Sequence, residues 1–269
     1  MTRIILIVVS SLAVLLVLGY IGLQIKPAPY AAFTEPPGKL ETVPLPAGLP
    51  APVERFYRKM YGERIPVIRS AVISGRGTIR PVGPVSLPAR FRFTHVAGKD
   101  YRHDIEATIF GIPVLKVIET YIASSSRQQM PWGTTQNDPK ANQAANLGLW
   151  AEAIWFPAIF LTDPRVRWNA VDNATAALTV PFEAGTETFV VRFDPDTQLV
   201  RSLEAMRFKT DQKILWINET RAWAELGGQL SLTLGTVTWM DDGKPWAVFN
   251  VEEIVLNADV SASMARNGK

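Results

Sequence analysis

The chain offers little to metal or acid–base chemistry. It holds two histidines, His95 and His103, and no cysteine, which removes disulfides, thiolate metal sites, cysteine nucleophiles and a lipid-modified cysteine together. The histidines fall on separate strand candidates without the H-x-x-x-H spacing that sets two imidazoles on one helix face. Both are read as satisfied sheet histidines, and no metal site or cofactor is expected. His103 neighbours Asp104, but consecutive strand residues face opposite ways, so no direct relay joins them. Adjacent carboxylates occur at Asp241–Asp242, in a D-D-G turn, and at Glu252–Glu253, in a strand pattern that points one to each face. There is no G-x-S-x-G elbow and no G-x-x-x-x-G-K-[ST] phosphate loop; Gly75-Arg76-Gly77 is too short and sits inside a strand pattern. No residue set carries a hydrolase, so an enzyme stands third behind two non-catalytic readings.

What the chain has in excess is apolar and aromatic surface, with eight tryptophans. Much of it gathers in residues 138–161, D-P-K-A-N-Q-A-A-N-L-G-L-W-A-E-A-I-W-F-P-A-I-F-L, the one long helical signal outside the N-terminus. Asp138 can cap the first turn, and Pro139 sits where a missing N–H costs nothing. Leu147, Ala151, Ile154, Ala158 and Leu161 follow one helical face. Trp150, Trp155, Phe156 and Phe160 fill the other sides, so the helix must be buried nearly all round. Pro157 predicts a break at Phe156–Pro157, with the element ending at Asp163–Pro164. Glu152 is the one charge between Lys140 and Asp163. It reads as a rim carboxylate paired with an arginine or, more sharply, as a carboxylate facing a ligand cavity.

The surrounding elements follow in order. Residues 4–25 form an uncharged apolar run between Arg3 and Lys26; at about 1.5 Å per residue it reaches about 33 Å, enough for a hydrocarbon core of about 30 Å. A secretory signal has a shorter core and a small-x-small cleavage site, so an uncleaved anchor over residues 1–26 is expected, with the N-terminus in the cytoplasm and the domain outside it, at a bacterial inner membrane. Residues 27–51 are a proline-rich tether that could reach about 80 Å in extended form, although Tyr30, Phe33, Leu40 and Leu45 lean toward docking on the domain. A single domain, residues 52–260, opens with an amphipathic helix carrying Val53, Phe56, Tyr57 and Met60. Period-two strands follow at 67–78, 89–96, 101–110, 113–123 and 125–130, then a polar stretch at 124–137 and, after the long helix, seven further strand patterns joined by short turns. Such turns force antiparallel neighbours. The fold class is α+β: about ten antiparallel strands in a curved, half-barrel-like sheet around one or two helices, with a frayed tail at 261–269.

Charge is uneven along this sheet. Residues 64–102 carry eight bases against one acid, and residues 211–259 carry eight acids against three bases. Either the two halves of the sheet complement each other or the first half meets an anionic partner. The overall formal charge of +3 is too small and dispersed to imply nucleic acid.

Two segments carry a resemblance. L-P-A-P-V-E-R-F at residues 49–56, and A-E-A-I-W-F-P-A at 151–158 followed by V-R-W-N-A-V-D at 166–172, resemble a family of bacterial membrane-associated proteins without an assigned function. With R-F-D-P-D-T at 192–197 the resemblance runs from about residue 49 to about residue 256. It implies that Arg55, Glu152, Trp155, Phe156, Pro157, Arg167 and Trp168 matter as a group, for packing or for binding. The order of elements is similar to the lipoprotein-localisation carriers, whose half-barrel with a helical plug binds acyl chains; this is a likeness of architecture and carries no residue across.

The first functional reading is therefore a non-catalytic, single-span membrane protein that binds or shields a lipid-like ligand in a groove between sheet and helix. Trp150, Glu152, Trp155, Phe156, Phe160 and Trp168 are the candidate ligand-binding residues, with Arg55, Pro157 and Arg167 as structural partners. The alternative is an accessory subunit of a larger membrane assembly, since an apolar groove, a thick core and a protein-facing patch use the same residue types.

Overall fold

Short turns between period-two segments leave each strand no choice but to pair with the one before it, and the chain does so twice. In the computed structural model, which describes residues 2–81 and 83–265, the first meander runs through β3 (Ser70–Ile79), β4 (Leu87–Val96), β5 (Asp100–Ile109), β6 (Ile112–Ile122), β7 (Ser125–Met130) and β8 (Gly133–Gln136). The second comprises β9 (Arg167–Ala170), β10 (Thr175–Phe182), β11 (Gly185–Phe193), β12 (Val200–Phe208), β13 (Lys213–Leu226), β14 (Gln229–Trp239) and β15 (Pro245–Leu256). Pairing of β15 with β3 fuses them into one open antiparallel sheet of thirteen strands, ordered β8-β7-β6-β5-β4-β3-β15-β14-β13-β12-β11-β10-β9. The expected half-barrel is present, with more strands than the ten or so anticipated. β8 lies in the stretch expected as polar turn; it pairs with β7 from Met130↔Gly133 to Arg127↔Gln136, a register that no hydrophobic period announces.

Before the sheet come α1 (Thr2–Gln24), β1 (Thr42–Pro44), α2 (Ala51–Tyr61) and β2 (Arg64–Pro66), with β1 and β2 forming a small ladder of their own. α1 contains one stretch, Arg3–Gln24, long and apolar enough to cross a membrane, and it is exposed except at its C-terminal end, where Gly22 is buried. At the other end, α5 (Ser261–Met264) adds a single turn within the segment expected to fray; residues 266–269 of that segment lie outside the described residues.

α3 (Pro139–Glu152) and the short α4 (Ile159–Thr162) connect the two margins of the sheet and fill its concave face. Asp138 caps α3 by accepting the Ala141 N–H at 2.9 Å. The polar residues of its first half are buried and tie it to both margins: Asn142 Oδ1 accepts from Ser126 N at 2.8 Å, Asn146 Nδ2 donates to Pro181 O at 3.1 Å, and Gln143 Nε2 donates to Met206 O at 3.0 Å. The α-helix stops at Glu152, earlier than the break expected at Phe156–Pro157. Pro157 has no N–H for Ala153 O, which instead takes Phe156 N at 2.9 Å and tightens residues 153–155 into a 3-10 turn.

α2 closes over this break. Val53, Phe56 and Tyr57 are fully buried, and Tyr57 Oη donates to Pro157 O at 2.8 Å. Because Pro157 O also accepts Phe160 N at 3.0 Å, Tyr57→Phe removes one bond without orphaning the carbonyl. It should cost about 1 kcal/mol, read as a fall of roughly 2–4 °C in Tm.

The tether does not stand free. Pro27, Ala28 and Ala31 present their carbonyls to Arg76, Arg90 and Arg92 on the outer face of the sheet, and Tyr30 lies under Arg90 and Arg92, at 4.5 and 5.2 Å. Gly38 N then bonds Leu256 O at 3.1 Å. The reach of about 80 Å is thus replaced by docking, since a basic strand face offers donors and cation–π partners to a proline-rich chain. The same contacts, with Glu252 on Arg76 and Glu106 on Arg90, occupy these three arginines of the first half from within the chain.

Candidate functional site

A three-residue turn decides the centre of the site. Ala97, Gly98 and Lys99 join β4 to β5 in the register Val96↔Asp100, His95↔Tyr101, Phe93↔His103. His95 and His103 are therefore diagonal neighbours on one face of the sheet. Both are buried, and Glu152, the last residue of α3, comes down between them: its Oε2 lies 2.7 Å from His103 Nε2 and 3.1 Å from His95 Nε2. The rim carboxylate expected to pair with an arginine is instead 17 % exposed and held by two imidazoles. Two histidines expected to be unrelated are joined by it.

Charge settles asymmetrically in this group. Burial pushes the Glu152 carboxyl up, but His103 and then His95 outweigh it and hold the group down at about 2. Burial also pushes His103 down, and Glu152 at hydrogen-bond distance more than reverses this, so its pKa is raised. His95 is fully enclosed and its pKa is lowered, chiefly by burial. The arrangement thus favours charge on Glu152 and on His103 and disfavours it on His95. Neither ring nitrogen of His95 makes a well-directed hydrogen bond among the described residues, and its Nε2 approaches Glu152 by distance alone. A divalent cation could use these three side chains, whose ligand atoms lie within 4.8 Å of one another, but the Glu152–His103 pair is charge-balanced without one.

The Glu152–His103 pair forms the inner end of a cavity of about 80 Å³ between α3 and the sheet. Phe93, Ile105, Trp155, Leu203, Trp216 and Phe249 make much of its apolar wall. Tyr101 stacks on His103 at 4.0 Å and donates to Glu119. At the outer end, Arg207 donates from Nε to Ala144 O at 2.9 Å and lies over Trp216 and Trp239, at 4.3 and 5.4 Å. No carboxylate forms an ion pair with Arg207 among the described residues, and burial lowers its pKa against the pull of Glu119. Ile105, Glu119, Arg207 and Trp246 also line a second, larger space of about 850 Å³ that opens outward. The indole N–H groups of Trp155, Trp216 and Trp246, all on the inner cavity, are buried and unbonded among the described residues.

Of the candidate ligand-binding residues, Glu152 and Trp155 line the inner cavity, and Trp155 with Phe156 walls a further space of about 140 Å³ behind it. Trp150, Phe160 and Trp168 line neither. They form an aromatic chain, Trp150–Phe160 at 6.4 Å and Phe160–Trp168 at 6.2 Å, that continues to Phe193. Pro157 holds α2 as described; Arg55 donates to Asn173 O at 2.6 Å at the surface; Arg167 is exposed on β9 opposite Thr179.

His95, His103, Glu119 and Arg207 were not singled out for binding, yet one signal marks all four. Each occupies the apolar phase of its strand: His95 with Phe91 and Phe93, His103 with Tyr101 and Ile105, Glu119 with Leu115 and Val117, Arg207 with Leu203 and Ala205. Polar groups in that phase point into the core, where each needs a partner.

A family model described as a family of unknown function, DUF6544, matches residues 39–251. The chain belongs to the DUF6544 family. No curated protein matches it. Among solved structures it is similar to a LolA superfamily protein from Nitrosomonas europaea, at 10 % identity and a TM-score of 0.50, over 80 % of this chain and 96 % of that one. An outer membrane lipoprotein-sorting protein domain from Vibrio parahaemolyticus matches at 8 % identity and TM-score 0.43, over 70 % and 85 % of the two chains. A DUF1329 family protein from Desulfovibrio piger matches at 13 % and 0.45, over 75 % and 91 %. The first of these establishes for this DUF6544 member a LolA-like fold.

Proposed function

We propose that this DUF6544 protein is a single-span membrane protein whose domain, outside the cytoplasm, binds a lipid-like ligand between α3 and the sheet without chemically altering it. The observation that carries this is the pair of adjoining spaces, which share Ile105, Glu119, Arg207 and Trp246 as a common wall. The outer one lies within the range of about 300–1,000 Å³ typical of small-molecule sites, and the inner one is lined by tryptophans whose buried indole N–H groups are unbonded among the described residues. An indole N–H buried without a partner costs about 1–3 kcal/mol, and ester, carboxylate or phosphate oxygens on an otherwise apolar molecule would relieve that cost. Arg207, cationic and without a carboxylate partner, favours the same chemistry. The LolA superfamily likeness supports the architecture.

The experiment is native mass spectrometry of the full-length protein purified in mild detergent. A stoichiometric lipid is expected; stable partner chains with no lipid would replace this reading with that of an accessory subunit. Gly148 of α3 supplies the control. A Cβ there would stand 3.8 Å from Tyr101 Oη and 4.0 Å from an Arg207 nitrogen, so Gly148→Ala fits and should stabilise the helix by roughly 0.5–1 kcal/mol. Gly148→Leu extends into the inner cavity beside Tyr101 and Arg207 and should abolish lipid retention while the urea midpoint stays near that of Gly148→Ala. Undiminished lipid on a folded Gly148→Leu protein would remove the cavity from the account.

A further inference from the structure

Antiparallel alternation sends every second turn of a meander to the same end of the sheet. The β3–β4, β5–β6, β7–β8, β10–β11, β12–β13 and β14–β15 turns therefore share one end, and Pro81, Pro84, Met130, Thr210, Asp242 and Lys244 from or beside four of them line the mouth of the large cavity. That end is also apolar on its outside. Val85, Phe110, Ile112, Val114, Trp132 and Met240 are exposed there, Ile112 and Trp132 each at 66 %. Val85, Val114 and Trp132 join Pro81, itself a residue of the mouth, around a shallow crease. Isolated exposed apolar residues are ordinary, but a cluster on adjacent turns beside a cavity mouth marks an interaction surface.

The position of α1 identifies the partner. Phe110 N donates to Gly22 O at 2.9 Å, and a Cβ on Gly22 would fall 2.6 Å from the Phe110 ring, so the C-terminal end of the apolar helix rests directly on the β5–β6 turn. Phe110 at φ 54° and Gly111 at φ 73° form the two-residue turn between the paired Ile109 and Ile112, the left-handed conformation at both positions that so tight a hairpin requires. The next residues fold onto the outer face of the sheet at once: a Cβ on Gly111 would lie 3.6 Å from Ile25, and Pro27 is bonded to Arg76. No spacer remains between helix and domain.

We infer that the tips of these hairpins lie in the headgroup layer of the bilayer that α1 spans, so that the cavity opens onto the membrane and takes its ligand from it directly. Aromatic and aliphatic side chains at such tips suit the boundary between headgroups and acyl chains. Around the mouth Arg80, Lys140, Lys209 and Lys244 are matched by Asp138, Asp211, Asp241 and Asp242, with Lys140 paired to Asp211 and Lys209 to Asp241 and Asp242, so the apolar tips rather than net charge set the fit to the headgroup layer. This inference rests on the reading of α1 as a span and of the cavity as a lipid site.

Absence of cysteine makes the test direct. Single substitutions Val85→Cys, Ile112→Cys and Trp132→Cys, with Lys99→Cys at the opposite end of the sheet as reference, are spin-labelled in the full-length protein. The labelled proteins are placed in nanodiscs of phosphatidylethanolamine and phosphatidylglycerol. Relative to the Lys99 label, the tip labels should gain several-fold in the ratio of oxygen to nickel-chelate accessibility. Tip labels as open to the chelate as the Lys99 label, on protein that still carries lipid by native mass spectrometry, would overturn the membrane-facing surface and leave the cavity reading intact. Shielded tips on protein without lipid would support the surface and overturn the cavity reading.

Discussion

Glu152→Gln should lower the stability of the domain by about 3 kcal/mol at neutral pH, and should flatten the acid limb of its stability profile. The carboxylate is held at about 2 by His103 and His95 against an ordinary value of 4.5, and a displacement of that size corresponds to about 3 kcal/mol in linkage. The sign follows from the depressed value. Below the folded-state pKa both states carry the proton and the contribution vanishes, so it is present above 4.5 and lost as pH falls from 4.5 toward 2. His103 is displaced upward, so its contribution is present below 6.5 and fades as pH rises through its folded-state value. His95, displaced downward by burial, opposes this by favouring the unfolded chain as pH falls below 6.5. The neutral amide would leave a protonated His103 buried without a counter-charge, the situation in which breaking a buried pair is costly. Urea titrations at intervals from about pH 3 to about pH 8, followed by tryptophan fluorescence, give the difference curve between variant and parent. Other carboxylates cancel in that difference. A gap that stays constant from about pH 6 down to about pH 3 would mean that the pair contributes by shape alone.

The pair itself was only half legible. Residues 138–161 announced their helix through Asp138, Pro139 and the apolar face, and the short turns announced an antiparallel sheet. Helix capping and strand alternation are local, and a sequence carries local information well. Which residue meets Glu152 depends on a register and a docking angle. The register could have been read: a three-residue turn through Gly98, at φ 66°, fixes His95 and His103 as diagonal neighbours. The docking of α3 could not, because it rests on Asn142, Gln143 and Asn146 reaching backbone and side-chain groups of strands on opposite sides of the sheet. For the same reason the aromatic candidates divided. Trp155 reached the cavity and Trp150, two positions before Glu152 on α3, did not, since the face turned to the cavity is set by those distant bonds. The tether was legible in part: proline density reads as an extended spacer while Tyr30, Phe33, Leu40 and Leu45 lean toward docking, and the row of Arg76, Arg90 and Arg92 on neighbouring strands supplies the surface it docks on.

Gly77→Ala is the second large effect expected, and it concerns the seam of the fold. Within the large sheet the two meanders are joined by the pairing of β3 with β15, which, with α3 across the concave face, links the half that holds His95 and His103 to the half that holds Arg207 and Trp216. A Cβ on Gly77 would lie 1.8 Å from Val248 O, and one on Gly75 would lie 2.1 Å from Asn250 O. Both obstacles are backbone atoms of the partner strand, which no rotamer change can clear. This accounts for the Gly75-Arg76-Gly77 pattern: the glycines let two backbones close on each other, and Arg76 between them points outward to Glu252 at 2.7 Å. β15 adapts with a register shift between Val251 and Glu253 opposite Gly75, so the seam is already irregular and has little room to yield further. Overpacking typically costs about 1–3 kcal/mol where side chains can move, and Gly77→Ala should exceed the upper end of that range. Because the cavity is walled from both meanders, lipid retention should fall together with the urea midpoint. The comparison is Thr78→Ala, one residue along the same strand, which adds no atom and should leave both measurements nearly unchanged. If Gly77→Ala matched Thr78→Ala in both, the close approach of β3 and β15 would not be what joins the two halves.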